Sequence, residues 1–170
     1  SYCVWRSRFL LGCDSGPTYL CYLTDTPIAC VNCTAPIATY PIRSNGLYIL
    51  KSMSVRNSGM PLGLAQLAAS EDPIYFRDST TYQYHDNTPE EILETVKEMV
   101  GLLDSPTAPS PAQVRYDELL TNTDRRLRPI MDYVRKWGAD DGFMGDGRIG
   151  RFFVERHNGS DLESRQEIVL

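Results

Sequence analysis

The stretch Arg8–Pro36, RFLLGCDSGPTYLCYLTDTPIACVNCTAP, constrains the fold of this chain more than any other part of it. Phe9, Leu10 and Leu11 form an uninterrupted apolar run, the pattern of a strand covered on both faces. Gly12 allows a close approach or a bend, and Asp14-Ser15-Gly16-Pro17 makes a tight turn. Pro17 lacks an amide hydrogen and has a fixed φ, which suits a first helical position and makes Gly16 the N-cap. A short helix follows, with Leu20, Cys21 and Leu23 turned inward, and Asp25-Thr26-Pro27 breaks it. Ile28–Val31 is then a second buried strand. Strand, turn, helix and strand make one βαβ unit, so an α/β fold with a mostly parallel sheet is predicted.

That order places a helix N-terminus at the carboxyl end of a strand, where open α/β sheets receive anions and nucleotides. The amides of Thr18 and Tyr19 are predicted to be unpaired and to point out of the helix start. Ser15 adds a hydroxyl, and the helix dipole favours a negative group there by roughly 0.3–2 kcal/mol. Capping uses the same residue types, so the pattern alone fits an ordinary βαβ turn equally well.

Asp14-Ser15-Gly16-Pro17, then Thr26-Pro27-Ile28-Ala29, then Asn32-Cys33-Thr34-Ala35-Pro36 resemble the donor-binding half of GT-B glycosyltransferases. Among these, the ADP-heptose lipopolysaccharide heptosyltransferases are matched in register at Asp14, Ser15, Gly16, Pro17, Leu20, Pro27, Thr34 and Pro36. Tyr19 stands where that family carries histidine, and Asn32 where it carries glycine. From Trp5 to Leu103, and again from Gly147 to His157, the chain is similar to bacterial surface-polysaccharide glycosyltransferases.

The resemblance implies the C-terminal part of a GT-B fold: a Rossmann-like sheet flanked by helices, with extra C-terminal helices. It implies transfer from a nucleotide-sugar donor, as substrate and without a resident cofactor or metal, to a glycan or lipid-linked acceptor. The Gly16, Pro17, Thr18 and Tyr19 backbone and Ser15 would hold the donor diphosphate, and Asp14 would touch sugar hydroxyls or brace the turn. Asn32 and Thr34 would line the pocket, and Lys51 would meet the diphosphate. The general base in this fold usually comes from an N-terminal acceptor domain, and no residue here is assigned that part. The chain is therefore expected to be a C-terminal piece of a longer enzyme, cytoplasmic or peripheral at the inner membrane. Two rival readings remain at this point: a non-catalytic nucleotide- or sugar-binding module, and a structural α/β domain with a cysteine-lined zinc or redox site.

Charge bears on the partners. With 17 basic against 22 acidic residues and a net charge of -5, broad phosphate-driven nucleic-acid binding is excluded. No apolar run approaches a membrane span, and Ser1–Leu11 lacks the charged and apolar regions of a signal peptide. The five cysteines, Cys3, Cys13, Cys21, Cys30 and Cys33, all precede Thr34. The single CxxC at Cys30 and Cys33 has no histidine nearby in sequence, which favours core packing over zinc or redox chemistry.

Downstream, Thr39–Ser70 reads as irregular, with a strand at Leu47–Leu50 and a helix at Leu62–Ala69. Arg56 joins Lys51 as a loop base able to meet phosphate. Ile74–Phe76 and Tyr82–Tyr84 are short β-like runs. Thr88 as N-cap, Pro89 at the first helical position and Glu91 three residues on predict a capping box, so Glu90 and Glu91 are assigned to helix initiation. Ile92, Val96, Met99, Val100 and Leu103 form that helix's apolar stripe. A Pro/Ser-rich linker at Leu102–Pro111 divides a partial nucleotide-sugar-binding domain, 1–104, from C-terminal helices in 105–170. Those helices are expected from Ser110 to about Thr121, over Asp124–Trp137 and over Ile149–Glu155. The GxGxxG match at Gly145–Gly150 lacks a preceding strand and is read as accidental.

Overall fold

The computed structural model describes residues 2–13, 15, 16, 18, 21, 24–34, 45–68, 79–122 and 147–158. Its centre is a parallel sheet of β1 (Leu10–Cys13), β2 (Ile28–Cys33), β3 (Leu47–Leu50) and β6 (Arg148–Ile149), in that spatial order. Leu10 pairs with Ile28, Ala29 with Leu47 and Leu47 with Arg148, so all described neighbours run the same way. The fold is α/β with helices flanking this sheet, an arrangement compatible with a Rossmann-like fold.

Burial explains which runs became central strands. All four residues of β3 are buried, as are all of β2 except Asn32, because both faces are covered. On one side Ala29 and Leu47 pack with Met99 of α3 (Pro89–Asp104), helped by Phe9, Leu102 and Leu103. Cys30, Tyr48 and Leu50 belong to a larger cluster with Leu64 and Leu67 of α2 (Leu64–Ala68) and Tyr116 of α4 (Pro111–Asn122). Each fully buried aliphatic of this kind contributes about 1.5–3 kcal/mol. β1 departs from expectation. It is the edge strand, its residues alternate half-buried and exposed, and Leu11 is 45% exposed rather than covered.

β3 does not stop at the sheet. After Lys51 the chain continues as β4 (Ser52–Val55), which pairs antiparallel with β5 (Tyr82–His85). This ribbon leaves from the carboxyl edge of the parallel sheet. β4 lies in the segment read as irregular, and a short helix, α1 (Tyr2–Arg6), for which no element was predicted, precedes β1.

α3 starts as its sequence predicts. Thr88 Oγ1 accepts from the Glu91 amide at 3.2 Å, Glu91 Oε2 accepts from the Thr88 amide at 2.7 Å, and Pro89 opens the helix. Of the expected apolar stripe Met99 is buried and Ile92, Val96, Val100 and Leu103 are half-buried, and two polar residues outside it, Glu91 and Thr95, are buried as well. α4 repeats the device, with reciprocal bonds between Ser110 and Gln113.

The end of the described chain is α5 (Arg151–Asn158), which packs on α3, α4 and α2. β6 falls inside the GxGxxG match, not before it, so the geometry of a dinucleotide fingerprint is absent from residues 147–150. Gly150 has its own reason to be glycine. A Cβ there would lie 2.6 Å from Ile49 Cγ2, so the turn from β6 into α5 rests directly on β3. The expected segments Ile74–Phe76 and Asp124–Trp137 lie outside the described residues.

Candidate functional site at the carboxyl edge of the sheet

Four chain segments converge where β1, β2 and β3 end. At the end of β1 the chain turns through Ser15 and Gly16. The turns that follow are of the tight i to i+3 kind, with the Thr18 amide donating to the Ser15 carbonyl at 3.1 Å and the Thr24 amide to Cys21 at 3.3 Å. The Thr18 amide, expected to be unpaired, is thus engaged. Its cause is the side chain: Thr18 is 2% exposed, and its hydroxyl donates to the Cys13 carbonyl at 2.6 Å, drawing the turn over the strand end. Gly12 makes this possible, since a Cβ there would stand 3.0 Å from Thr18 Oγ1.

Ser15 and Gly16 remain open. Gly16 is exposed, a Cβ on it would meet nothing within 4 Å, and neither its amide nor that of Ser15 has a partner among the described residues. Cys13 Sγ lies 3.5 Å from Ser15 Oγ, to which it donates. Asp14, Pro17 and Tyr19, the other residues assigned to this turn, lie outside the described residues.

At the end of β2, Asn32 takes a φ of +57°, a left-handed conformation that asparagine tolerates better than other side-chain-bearing residues. The ladder between β2 and β3 slips there, between Cys30 and Cys33. The Asn32 amide donates to Asn87 Oδ1 at 2.6 Å, and the Asn87 amide donates back to Asn32 Oδ1 at 2.7 Å. Asn87 Nδ2 donates to the Leu50 carbonyl at 2.7 Å. One side chain, 7% exposed, therefore ties together the ends of β2 and β3 and the start of α3. Thr34 follows β2 directly and is half-buried.

Lys51 closes the edge at β3. Its amide donates to the Cys33 carbonyl at 2.7 Å, and its ammonium pairs with Asp86 at 2.6 Å. The lysine side chain is 25% exposed and the aspartate 74%, so the pair lies at the surface. Ser15, Gly16, Asn32, Thr34 and Lys51 thus all follow or end strands on the same edge. Arg56 does not join them: it follows β4 and its Nε donates to the Ser79 carbonyl at 3.1 Å.

Next to this edge stands a buried carboxylate. Glu91 accepts from His157 Nε2 at 2.8 Å as well as from Thr88, and Phe153 packs against the imidazole with ring centroids 4.4 Å apart. Burial pushes the Glu91 carboxyl up, but the bonds from His157 and Thr88 outweigh it and hold the pKa at about 2. It is a fixed charge, unsuited to proton transfer near neutrality. Glu90 pairs with Arg156 at 3.2 Å, so the last turn of α5 is held to the first turn of α3 twice.

Neither Asn87 nor His157 was singled out by sequence. Asn87 sits beside a capping motif that already accounts for a polar residue, and its partner is 55 positions away. Nucleophilic chemistry has thin material here. Ser54 Oγ is 2.8 Å from His85 Nε2, but Ser54 is buried and no carboxylate bonds His85 among the described residues. Cys21, Cys30 and Cys33 are buried in the core cluster, none of the five cysteines is in a disulfide, and Cys33 Sγ donates to the Cys30 carbonyl at 3.6 Å. Among the described residues no three His, Cys, Asp or Glu side chains converge.

A cleft of about 560 Å³ lies elsewhere, between α3, α4, α5 and the loop joining α3 to α4. Its polar groups are largely committed to the protein. Glu98 accepts from Gln113 at 2.9 Å and from the Arg151 amide at 2.7 Å, Gln113 also donates to the Ile149 carbonyl, and Lys97 pairs with Glu94. The start of α5 is thereby capped by the chain's own carboxylate.

Fold and edge together define a class: an α/β domain whose parallel strands end in a polar rim of open amides, amide side chains and one surface lysine. Comparison with models of known protein families, with characterised proteins and with solved structures finds no match. No helix among the described residues is long and apolar enough to cross a membrane.

Proposed function

We propose that this chain supplies the donor-binding half of a glycosyltransferase, holding a nucleotide sugar by its diphosphate at the carboxyl edge of the sheet. The observation that carries the reading is the opening after β1, where the Ser15 and Gly16 amides have no partner among the described residues and the Ser15 hydroxyl accepts from Cys13 Sγ with its own proton free to donate. The resemblance of the Asp14–Pro17 turn and of the Asn32–Pro36 segment to GT-B donor sites supports it. A pyrophosphate there would gain two amides and a hydroxyl from the turn, and Lys51 from across the edge. Those donors would stabilise charge developing on the departing nucleoside diphosphate, the principal electrostatic contribution available to such a transfer. Lys51 would be shared with Asp86, which limits its gain.

The test is calorimetry of the chain with UDP, GDP and ADP. Binding in the micromolar to millimolar range, weakened about fivefold or more by Lys51→Ala and by Ser15→Ala, is the expected result. Absence of heat with all three at millimolar concentration would overturn the proposal.

A further inference from the structure

We infer that Asn87 is the positioning residue of the carboxyl edge, a role that rests on the donor-site reading and deepens it. Three observations converge on this side chain. It is almost fully buried, both its side-chain polar atoms are bonded, and its partners belong to two different strands, β2 and β3. The bond it accepts from the Asn32 amide fixes the one side-chain-bearing residue among those described that has positive φ. Left-handed residues persist only where their surroundings over-determine them. Asn32 in turn sets the direction in which the chain passes through Cys33 to Thr34 at the end of β2. The residue before Asn87, Asp86, holds the Lys51 ammonium. Both polar groups that the edge would offer a diphosphate beyond the β1 turn are therefore aimed from one point. Asn87 acts through Asn32 and Leu50, to which its buried carboxamide is bonded, and no ligand contact is assigned to it.

Two substitutions separate positioning from mere packing. Asn87→Ala removes every side-chain bond. Asn87→Asp keeps the oxygen that accepts from the Asn32 amide and sets a second oxygen, in place of the donor, against the Leu50 carbonyl. Both lower thermal stability. Hydrogen exchange at the Asn32 amide should rise at least tenfold in Asn87→Ala and stay within about threefold of wild type in Asn87→Asp. Affinity for UDP, GDP or ADP, whichever the wild type binds, should follow the same division, falling about tenfold in Asn87→Ala alone. Asn32→Gly keeps φ accessible and keeps Asn87 as the acceptor, so it should bind within about threefold of wild type, and it serves if Asn87→Ala does not fold. Equal loss of Asn32 protection and affinity in both Asn87 variants, or no loss in Asn87→Ala, overturns the inference, as does a large loss in Asn32→Gly. Should no nucleotide bind the wild type, the donor-site reading fails alone, and exchange at Asn32 still decides the role of Asn87.

Discussion

Replacing Glu91 by glutamine removes one negative charge from a site that is 4% exposed and accepts three hydrogen bonds, from His157, the Thr88 amide and the Thr88 hydroxyl. The glutamine oxygen still accepts from Thr88, so the loss is the charge and the His157 contact. Burial raises this carboxyl and the three bonds lower it further, from 4.5 to about 2. A folded-state pKa below the unfolded one stabilises the protein above the unfolded value, and that stability is lost as pH falls through the folded value. For Glu91 the window runs from 4.5 down to about 2. The difference amounts to on the order of 3 kcal/mol at neutral pH, which for a chain of this size is a Tm lower by roughly 6–12 °C in Glu91→Gln. Urea unfolding at pH 7, and at steps through the acid window, reads both quantities. Wild type should lose its advantage over Glu91→Gln progressively as pH is lowered, because the wild-type carboxyl takes up the proton the variant never releases. Parallel curves for the two proteins across that range would refute the argument.

Two further perturbations test the packing that holds the edge. Gly150→Ala places a methyl 2.6 Å from the buried Cγ2 of Ile49, a stiff β-branched neighbour, and should cost about 1–3 kcal/mol by chemical denaturation. Adding Ile49→Ala should make the double variant cost less than the sum of the singles, and strict additivity would contradict the contact. Thr18→Val removes the hydroxyl bonded to the Cys13 carbonyl and should cost about 1–2 kcal/mol, with faster amide exchange at the Cys13–Ser15 turn as the local signature.

Sequence patterning reached the parts of this fold whose cause is local. The capping boxes at Thr88 and Ser110 depend on residues three apart, and both are present as read. Leu47–Leu50 is a short apolar run between turn signals, and it became β3. What escaped depends on tertiary neighbours. Phe9–Leu11 carries the same apolar signal as a central strand, but nothing in its composition says that β1 pairs on one side only among the described residues. Ser52–Val55 has weak alternation, and its strand character comes from pairing with Tyr82–His85. Glu91 illustrates the limit from the other direction. Its place in a capping box was legible, whereas its burial against His157, 66 residues away, was not. At the candidate site, Ser15 and Gly16 could be placed from the turn itself, while the Thr18 amide was lost to a hydroxyl contact that pattern alone does not forecast.

Strand order sharpens what the edge must do to bind anything. Open α/β sheets make their ligand crevice where the order reverses, because connections then leave the two central strands toward opposite faces. Among the described strands the order β1, β2, β3, β6 contains no reversal, so these four strands by themselves do not define such a crevice. A concavity must instead be built from what rises above the edge. The β4–β5 ribbon supplies one wall, since β4 continues from β3 through Lys51 and β5 returns to Asp86 and Asn87. The turn at Ser15 and Gly16 stands on the other side, with β2 and its left-handed Asn32 between them. The bonds from Asn87 to Asn32 and Leu50, together with the Lys51–Asp86 pair, set the separation between ribbon and strand ends. This clasp fixes the ribbon against the strand ends, and loosening it should impair ligand capture before it unfolds the sheet.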